Sequence, residues 1–369
     1  MKSARRVAAA RLVWLVSLWG CTGAASDPAD PDTAAAPGPD AAAAPEPDAA
    51  SEPDADAASE PDAVAAPEPD AGALPLWLDD PEAPFPDLLS EVGLYGDLNT
   101  LTPAARALEY EPRYPLWSSD TDKQRLLVLP PGGHFDARFE APVGTVISKT
   151  FIVPDGPPLE TRLLVRRAAG WDYAVYLWEL SSADARRLES PWIGLPLDAV
   201  RADGEALPYE VPSRLDCRGC HEVAEKKTGS PVLGITALQV EPALAAVAFD
   251  APPAPAQVVG RTPIETEVLQ YFVGNCIHCH HGGGGEGSAY SLYPEVAVER
   301  SVGVETDREG SEGTRVVAGD PEASILFTSV VYGRDPAWDD AFKPMPPIGA
   351  LFSDPAAEPL LRTWIQDLP

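Results

Sequence analysis

The chain has 369 residues, of which 45% are hydrophobic, so it is long enough to bury a substantial core. Its 42 prolines lie far above average usage and indicate long stretches of linker or loop. The formal net charge of −30 argues against nucleic acid as a partner, because neutralising phosphates requires clustered Lys and Arg.

Residues 1–20 are predicted to be a signal peptide. Four basic residues precede the apolar run 12–19, which is shorter than the roughly 20 residues that span a bilayer. The run ends in Leu18-Trp19-Gly20-Cys21, which resembles the bacterial lipoprotein cleavage box. We therefore expect lipidation at Cys21 and a membrane anchor in the outer membrane, facing the periplasm or the cell surface. The alternative is an ordinary secretory signal whose Cys21 is discarded.

Residues 21–75 are predicted to form a disordered linker that carries the lipid. The segment consists almost wholly of Ala, Pro, Asp and Glu, and it repeats Glu-Pro-Asp four times. A segment without bulky apolar residues cannot offset the entropy lost on ordering. Proline and like charge keep such a chain extended, so we interpret it as a tether.

The remaining sequence predicts an α+β fold. Residues 76–250 are expected to form a β-rich domain, since 143–153, 161–165 and 173–178 are rich in strand formers and are separated by turn signals. These spacings suit an antiparallel sheet or a sandwich. Residues 257–369 are expected to be mainly helical, with a helix from Pro263 through Tyr271 and another over the last stretch, 358–368, whose apolar residues lie on one face.

The cysteines carry the most specific signal. Outside Cys21, the other four form two identical patterns, Cys217-Arg218-Gly219-Cys220-His221 and Cys276-Ile277-His278-Cys279-His280. Cys-x-x-Cys-His is the attachment pattern of c-type haem. Two thiols at this spacing reach the two vinyl groups of one porphyrin, and the adjacent imidazole lies beneath the iron. The sequence therefore predicts two covalently bound haem c groups, with His221 and His280 as axial ligands of the iron.

Three other readings of the four thiols are open. They could bind one Zn²⁺ together, form disulfides in an oxidising compartment, or act as redox-active dithiols. None of these explains why a His follows the second Cys in both patterns.

The sequence indicates a single candidate for the second axial ligand of one haem iron and several candidates for that of the other. Met345, in Lys343-Pro344-Met345-Pro346-Pro347, is predicted to bind the second haem iron, because the flanking prolines hold its loop extended. For the first haem the candidates are His134, His278, His281, Lys226 or Lys227, or no ligand at all. Among the residues His134 is the candidate, and the alternative is an open or weakly ligated iron. We expect His278 and His281 to be solvated neighbours of the second haem.

These motifs resemble a family of bacterial exported dihaem c-type cytochromes. The similarity extends from about residue 81 to the end of the chain. It is carried by the following segments: Tyr114-Pro115-Leu116-Trp117-Ser118-Ser119-Asp120, Pro142-Val143-Gly144-Thr145-Val146, Lys149-Thr150-Phe151, Glu160-Thr161-Arg162-Leu163-Leu164 and Pro212-Ser213-Arg214. The C-terminal part separately resembles the small haem domain of bacterial cytochromes, through Asn275-Cys276, Gly319-Asp320-Pro321 and Met345-Pro346-Pro347-Ile348-Gly349. The resemblance implies electron transfer outside the cytoplasm.

The sequence thus predicts a lipid-anchored electron carrier that exchanges electrons with redox-protein donors and acceptors. Because Met ligation raises the potential of a haem relative to bis-His ligation, the second haem is the expected exit for electrons. The alternative is a dihaem peroxidase-like enzyme in which a small molecule binds an open first haem. A haem-based docking or sensor module is a third class. The sequence favours an electron carrier over a catalyst.

Overall fold

The computed structural model describes residues 76–179, 183–189, 194–228, 231–254, 256–282, 289–306, 312–335, 337 and 344–369, with only the backbone described at 214 and 223–228. The predicted signal peptide, the predicted linker and Cys21 lie outside these residues. The described residues belong to a single compact unit. The division into a domain over 76–250 and another over 257–369 stays a prediction.

Strands precede α-helices in the described part of the chain. The central sheet has six antiparallel strands in sequence order. They are β3 (Leu108–Glu109), β4 (Asp122–Val128), β5 (Val146–Ile152), β6 (Pro158–Arg167), β7 (Gly170–Trp178) and β8 (Ala185–Arg187). Two hairpins are separate from this sheet: β1 (Tyr95–Asp97) with β2 (Thr102–Pro103), and β9 (Leu195–Val200) with β10 (Ala206–Val211). Short 3₁₀ turns occupy Trp77–Asp79 and Leu89–Glu91.

The central sheet is covered on both faces. Successive residues of a strand point to opposite faces, and here Leu126 packs into one buried cluster while Leu127 packs into another. The same alternation separates Leu163 from Leu164. The face that holds Leu127 and Leu164 is covered by the segment that includes Phe249. This second face also meets the helix that carries the first cysteine pattern.

The α-helices follow the last strand. They are α1 (Arg214–Thr228), α2 (Pro242–Ala248), α3 (Pro263–Asn275), α4 (Ala297–Ser301), α5 (Ile325–Val331) and α6 (Ala357–Gln366). The predicted start of α3 is confirmed, since the Thr262 hydroxyl accepts a hydrogen bond from the Glu265 N–H at 3.1 Å and Pro263 is the first helical residue. The helix runs one turn beyond the predicted end at Tyr271.

A separate core joins α3 to α6. Phe272 and Trp364 are fully buried and meet edge to face, with ring centroids 6.0 Å apart. Leu361 and Ile365 of α6 are fully buried beside them. This core fixes the C-terminal end of α3, where the second cysteine pattern begins. The mixed helix-and-strand composition predicted from sequence is confirmed.

Candidate cofactor site

The two Cys-x-x-Cys-His patterns converge on one cavity. The first lies on α1, where Cys217 is one helical turn before Cys220 and His221 and on the same face of the helix. The second begins at Cys276, where α3 ends, and continues in a turn in which the His280 N–H donates to the Cys276 carbonyl at 2.9 Å. We name this space the main cavity. It has a volume of about 240 Å³ and is lined by all four cysteines, His221, His280 and Met345.

Cys220 and Cys279 bring the two patterns into direct contact. The interaction between their thiols raises the pKa of Cys220 and lowers the pKa of Cys279. Sites that are distant in the sequence are therefore adjacent in the fold. Two groups attached at these positions would be close neighbours.

Burial raises the pKa of the other two thiols. The pKa of Cys217 lies above its ordinary value because the thiol is removed from water, and desolvation raises the pKa of Cys276 to about 12. Reactive cysteines have a depressed pKa and a partly exposed, electropositive environment. The raised pKa of these two thiols is opposite in direction to the depressed pKa of a reactive cysteine.

His221 is held in a single orientation by the backbone. Its Nδ1 lies 2.7 Å from the Pro231 carbonyl oxygen. A carbonyl oxygen only accepts, so Nδ1 carries the proton and Nε2 presents its lone pair. Burial lowers the pKa of His221 to about 4, which keeps the ring neutral near pH 7. A neutral imidazole with a fixed Nδ1–H is the form that binds iron through Nε2.

His280 is positioned by a turn and by an aromatic contact. Its carbonyl accepts a hydrogen bond from the Leu292 N–H at 2.9 Å. The imidazole meets the Tyr290 ring edge to face, with ring centroids 5.3 Å apart. The second histidine is thus fixed from both its backbone and its side chain.

Met345 lies in a loop that an arginine holds in place. The Arg334 guanidinium donates to the carbonyls of Met345 at 3.4 Å, of Pro346, and of Ala350 at 2.9 Å. The Met345 N–H donates to the Ser329 carbonyl at 3.0 Å. Sequence reasoning missed Arg334, since a lone arginine in a loop has no pattern that marks it as a partner of the methionine.

Gly333 allows the same loop to approach α5 closely. A Cβ at this position would lie 2.4 Å from the Ser329 carbonyl oxygen and 2.6 Å from the Pro344 Cα. Both are backbone atoms that cannot move aside cheaply. Any side chain here would therefore displace the loop that carries Met345.

The other histidines are distributed differently from the predictions. His134 is exposed, pairs with Asp250 at 3.0 Å and lines neither cavity, so the structure does not bring it to the first pattern. The expected solvation is wrong for His281, whereas His278 is partly exposed. His278 lines the main cavity, where burial and then His221 lower its pKa to about 4, and His281 is 6% exposed. The side chains of Lys226 and Lys227 lie outside the described residues.

A row of basic residues beside the first pattern was also missed. Lys149 and Arg162 line both the main cavity and a side cavity of about 90 Å³, which Arg125 lines as well. Burial, followed by the charges of Arg125 and Arg162, lowers the pKa of Lys149 well below its ordinary value. Each residue stands in a different strand, so no sequence window contains the row.

The donor set fits two covalently attached porphyrins. Each thiol pair stands beside a histidine, and apolar side chains including Phe272, Leu292 and Ile348 line the same space. Within the described ranges, no group of three or more His, Cys, Asp and Glu side chains is arranged to hold a bare metal ion.

In the described part of the chain, no helix is long and apolar enough to cross a membrane. Comparisons with protein-family models, curated proteins and solved structures found no match for this chain.

Proposed function

We propose that this chain is a dihaem c-type cytochrome that transfers electrons in the periplasm or at the outer membrane. Cys217 and Cys220 would hold the first haem covalently, with His221 as an axial ligand. Cys276 and Cys279 would hold the second, with His280. Bound at these positions, each haem would supply a reversible one-electron change at its iron.

The convergence of both patterns on the main cavity supports this proposal most directly. Thiol pairs and histidines are the attachment groups that the pattern requires, and all of them line one largely apolar space. The Pro231 carbonyl gives His221 the tautomer that leaves Nε2 available. The contact between Cys220 and Cys279 supports exchange of electrons within the chain, because adjacent redox groups need no protein rearrangement to communicate.

Met345 is the proposed second ligand of the second iron. It lines the cavity with His280, and Arg334 and Ser329 hold its backbone. Thioether ligation raises a haem potential, so electrons would leave the chain at the second site. On this proposal α3 to α6 form a small cytochrome c domain, and the β-rich part with α1 carries the first haem.

The location and partners follow from the N-terminal sequence. A signal peptide and a lipid at Cys21 would place the protein at the outer membrane, and residues 21–75 would tether the folded part to it. Donor and acceptor would be redox proteins. The strong negative charge of the chain favours partners with basic docking surfaces.

A peroxidase-like enzyme is the second candidate. The placement of His134 outside both cavities favours it, because an iron held by His221 would then lack the histidine assigned to its sixth position. Carbon monoxide added to the reduced full-length protein separates the two. A shifted absorption band for one haem favours the enzyme, and an unchanged spectrum favours the carrier.

A redox titration of the full-length holoprotein tests the carrier proposal. Visible absorption should follow two one-electron steps, and Met345→Ala should lower the potential of one step alone. Leu351→Ala is the control variant. Leu351 is an exposed apolar residue close to Met345 in the sequence, and its substitution should leave both steps unchanged. A titration with no reversible step would contradict the proposal.

A further inference from the structure

Three basic residues stand side by side across the central sheet. Arg125 on β4 is directly opposite Lys149 on β5, and Lys149 is directly opposite Arg162 on β6. Residues in register on neighbouring strands point to the same face, so their charged groups share one environment. We name these residues the cationic row. Like charges directly opposite each other are destabilising, so this arrangement requires compensation.

Carboxylates compensate the two arginines. Arg125 bonds Glu111 at 2.5 Å. Arg162 bonds Glu160 at 2.5 Å, and the Tyr209 hydroxyl donates to the same carboxylate. Glu160 is completely buried, whereas the Arg162 side chain keeps 26% of its surface exposed. The outer two members of the cationic row are therefore neutralised by the protein itself.

The central member is not matched in this way. Within the described part of the chain, no carboxylate lies within 4.0 Å of the Lys149 ammonium. The nearest aromatic ring that it contacts is that of Phe151, at 5.9 Å from the centroid. Lys149 is only partly exposed, and a partly desolvated ammonium group is costly unless an anion accompanies it. Lys149 thus has the properties of one half of an ion pair.

The cationic row faces the first cysteine pattern. Lys149 and Arg162 line the main cavity and the side cavity together with Cys217 and His221. An anionic group held in this space at the first cysteine pattern could therefore contact Lys149. A porphyrin bound at Cys217 and Cys220 brings two carboxylates of its own into the same enclosure.

We propose that Lys149, backed by Arg162, binds the propionate carboxylates of the haem attached at Cys217 and Cys220. This inference rests on the proposed function. It explains why a lysine without a carboxylate partner is placed between two arginines that each have one. It also gives the first haem an electrostatic control, because a fixed positive charge beside a haem favours the reduced iron and raises its potential.

The test compares variants of the full-length holoprotein. Lys149→Met removes the charge and keeps the length of the side chain, whereas Lys149→Arg keeps the charge. Lys123→Met is the matched control, since Lys123 is on β4, bonds the Thr121 carbonyl at 3.2 Å and lines neither cavity. Haem content, potentials from redox titration and electron paramagnetic resonance spectra are measured for each. Lys149→Gln is made as well, so that the comparison survives if one variant does not fold.

The expected result is a lower potential for one haem in Lys149→Met and Lys149→Gln, with the other haem unchanged. Lys149→Arg and Lys123→Met should keep the potentials of the unsubstituted protein. Unchanged potentials in Lys149→Met and Lys149→Gln would overturn the inference. A change of iron spin state in Lys149→Arg would also overturn it, because arginine keeps the charge but cannot serve as an iron ligand in place of an amine.

Sodium nitrite serves as the probe for a free anion. If nitrite changes the spectrum of the unsubstituted protein and not that of Lys149→Met, the cationic row binds a dissolved anion and the inference is wrong. If both proteins respond alike, or if neither responds, the haem propionates and not a dissolved anion occupy the position beside Lys149. A protein without haem would instead refute the proposed function, so the two failures are distinguishable.

Discussion

The thiol of Cys220, in the first Cys-x-x-Cys-His pattern, interacts with the thiol of Cys279 in the second, and the pKa of Cys220 rises while that of Cys279 falls. One is on α1 and the other is in the turn after α3, so the contact depends on the packing of the whole described unit. It places the two candidate attachment sites against each other. Electrons that enter at one site would have a short route to the other.

This contact predicts selective disulfide formation in protein produced without haem attachment. In the double variant Cys217→Ser/Cys276→Ser, the Cys220 and Cys279 thiols should be oxidised by glutathione disulfide to one intramolecular disulfide, with two molecules of glutathione released. Free-thiol labelling and intact mass measure the result. Cys220→Ser/Cys276→Ser retains Cys217 and Cys279 and should close far more slowly. Equal rates for the two variants would contradict the packing.

Arg334→Met should loosen the loop that carries Met345. The substitution removes hydrogen bonds to the carbonyls of Met345, Pro346 and Ala350, and bonds from a charged donor contribute about 2 kcal/mol each. We expect the free energy of unfolding to fall by at least about 2 kcal/mol, measured by urea denaturation. The near-infrared band of sulfur-ligated ferric haem should weaken as well. Arg138→Met, at an exposed arginine, should change neither quantity.

Thr262→Ala should destabilise the start of α3. The threonine hydroxyl satisfies the Glu265 N–H, and loss of such a cap costs about 1 kcal/mol in the free energy of unfolding. Chemical denaturation measures the difference. Thr363→Ala makes the same chemical change at an exposed position within α6 and should be neutral or slightly stabilising, because Ala favours a helix interior. Equal losses in both variants would contradict the capping role.

The ion pair at the same helix start predicts a pH dependence. The side-chain hydrogen bond from Arg261 lowers the pKa of Glu265, and the two groups lie 2.7 Å apart. A lowered carboxyl pKa contributes stability above the pKa of the unfolded state, and that contribution is lost as the pH falls through the folded value. Arg261→Met should therefore cost about 0.5 kcal/mol at pH 7 and less at pH 3, where the carboxylate is more protonated. Urea denaturation at both values measures it, and an equal loss at pH 3 would contradict the assignment.

Local patterns predicted the elements well. The run 143–153 contains β5, which is Val146–Ile152, and the Thr262-Pro263 pair marks the start of α3 correctly. Both signals depend on residues that are neighbours in the chain: β-branched side chains in the first case, and a cap followed by proline in the second. The alternation of Leu126 and Leu127 between two cores follows from the same local geometry.

Long-range features of the site could not be predicted. The cationic row exists because strand register aligns Arg125, Lys149 and Arg162, and a shift of one residue would turn any of them to the other face. His278 lines the same two cavities as His221 of α1, and the sequence does not specify this packing. Residue type indicates His134 as a possible iron ligand, but its partner in the fold is Asp250, which is far away in the sequence.

The haem content of the mature protein tests the central claim most directly. The full-length chain is produced with a haem-attachment system and examined by pyridine haemochrome absorption and intact mass, beside Cys217→Ala/Cys220→Ala and Cys276→Ala/Cys279→Ala. Two haems in the unsubstituted protein and one in each double variant are the predicted result. A colourless protein whose mass equals that of the bare polypeptide would contradict it.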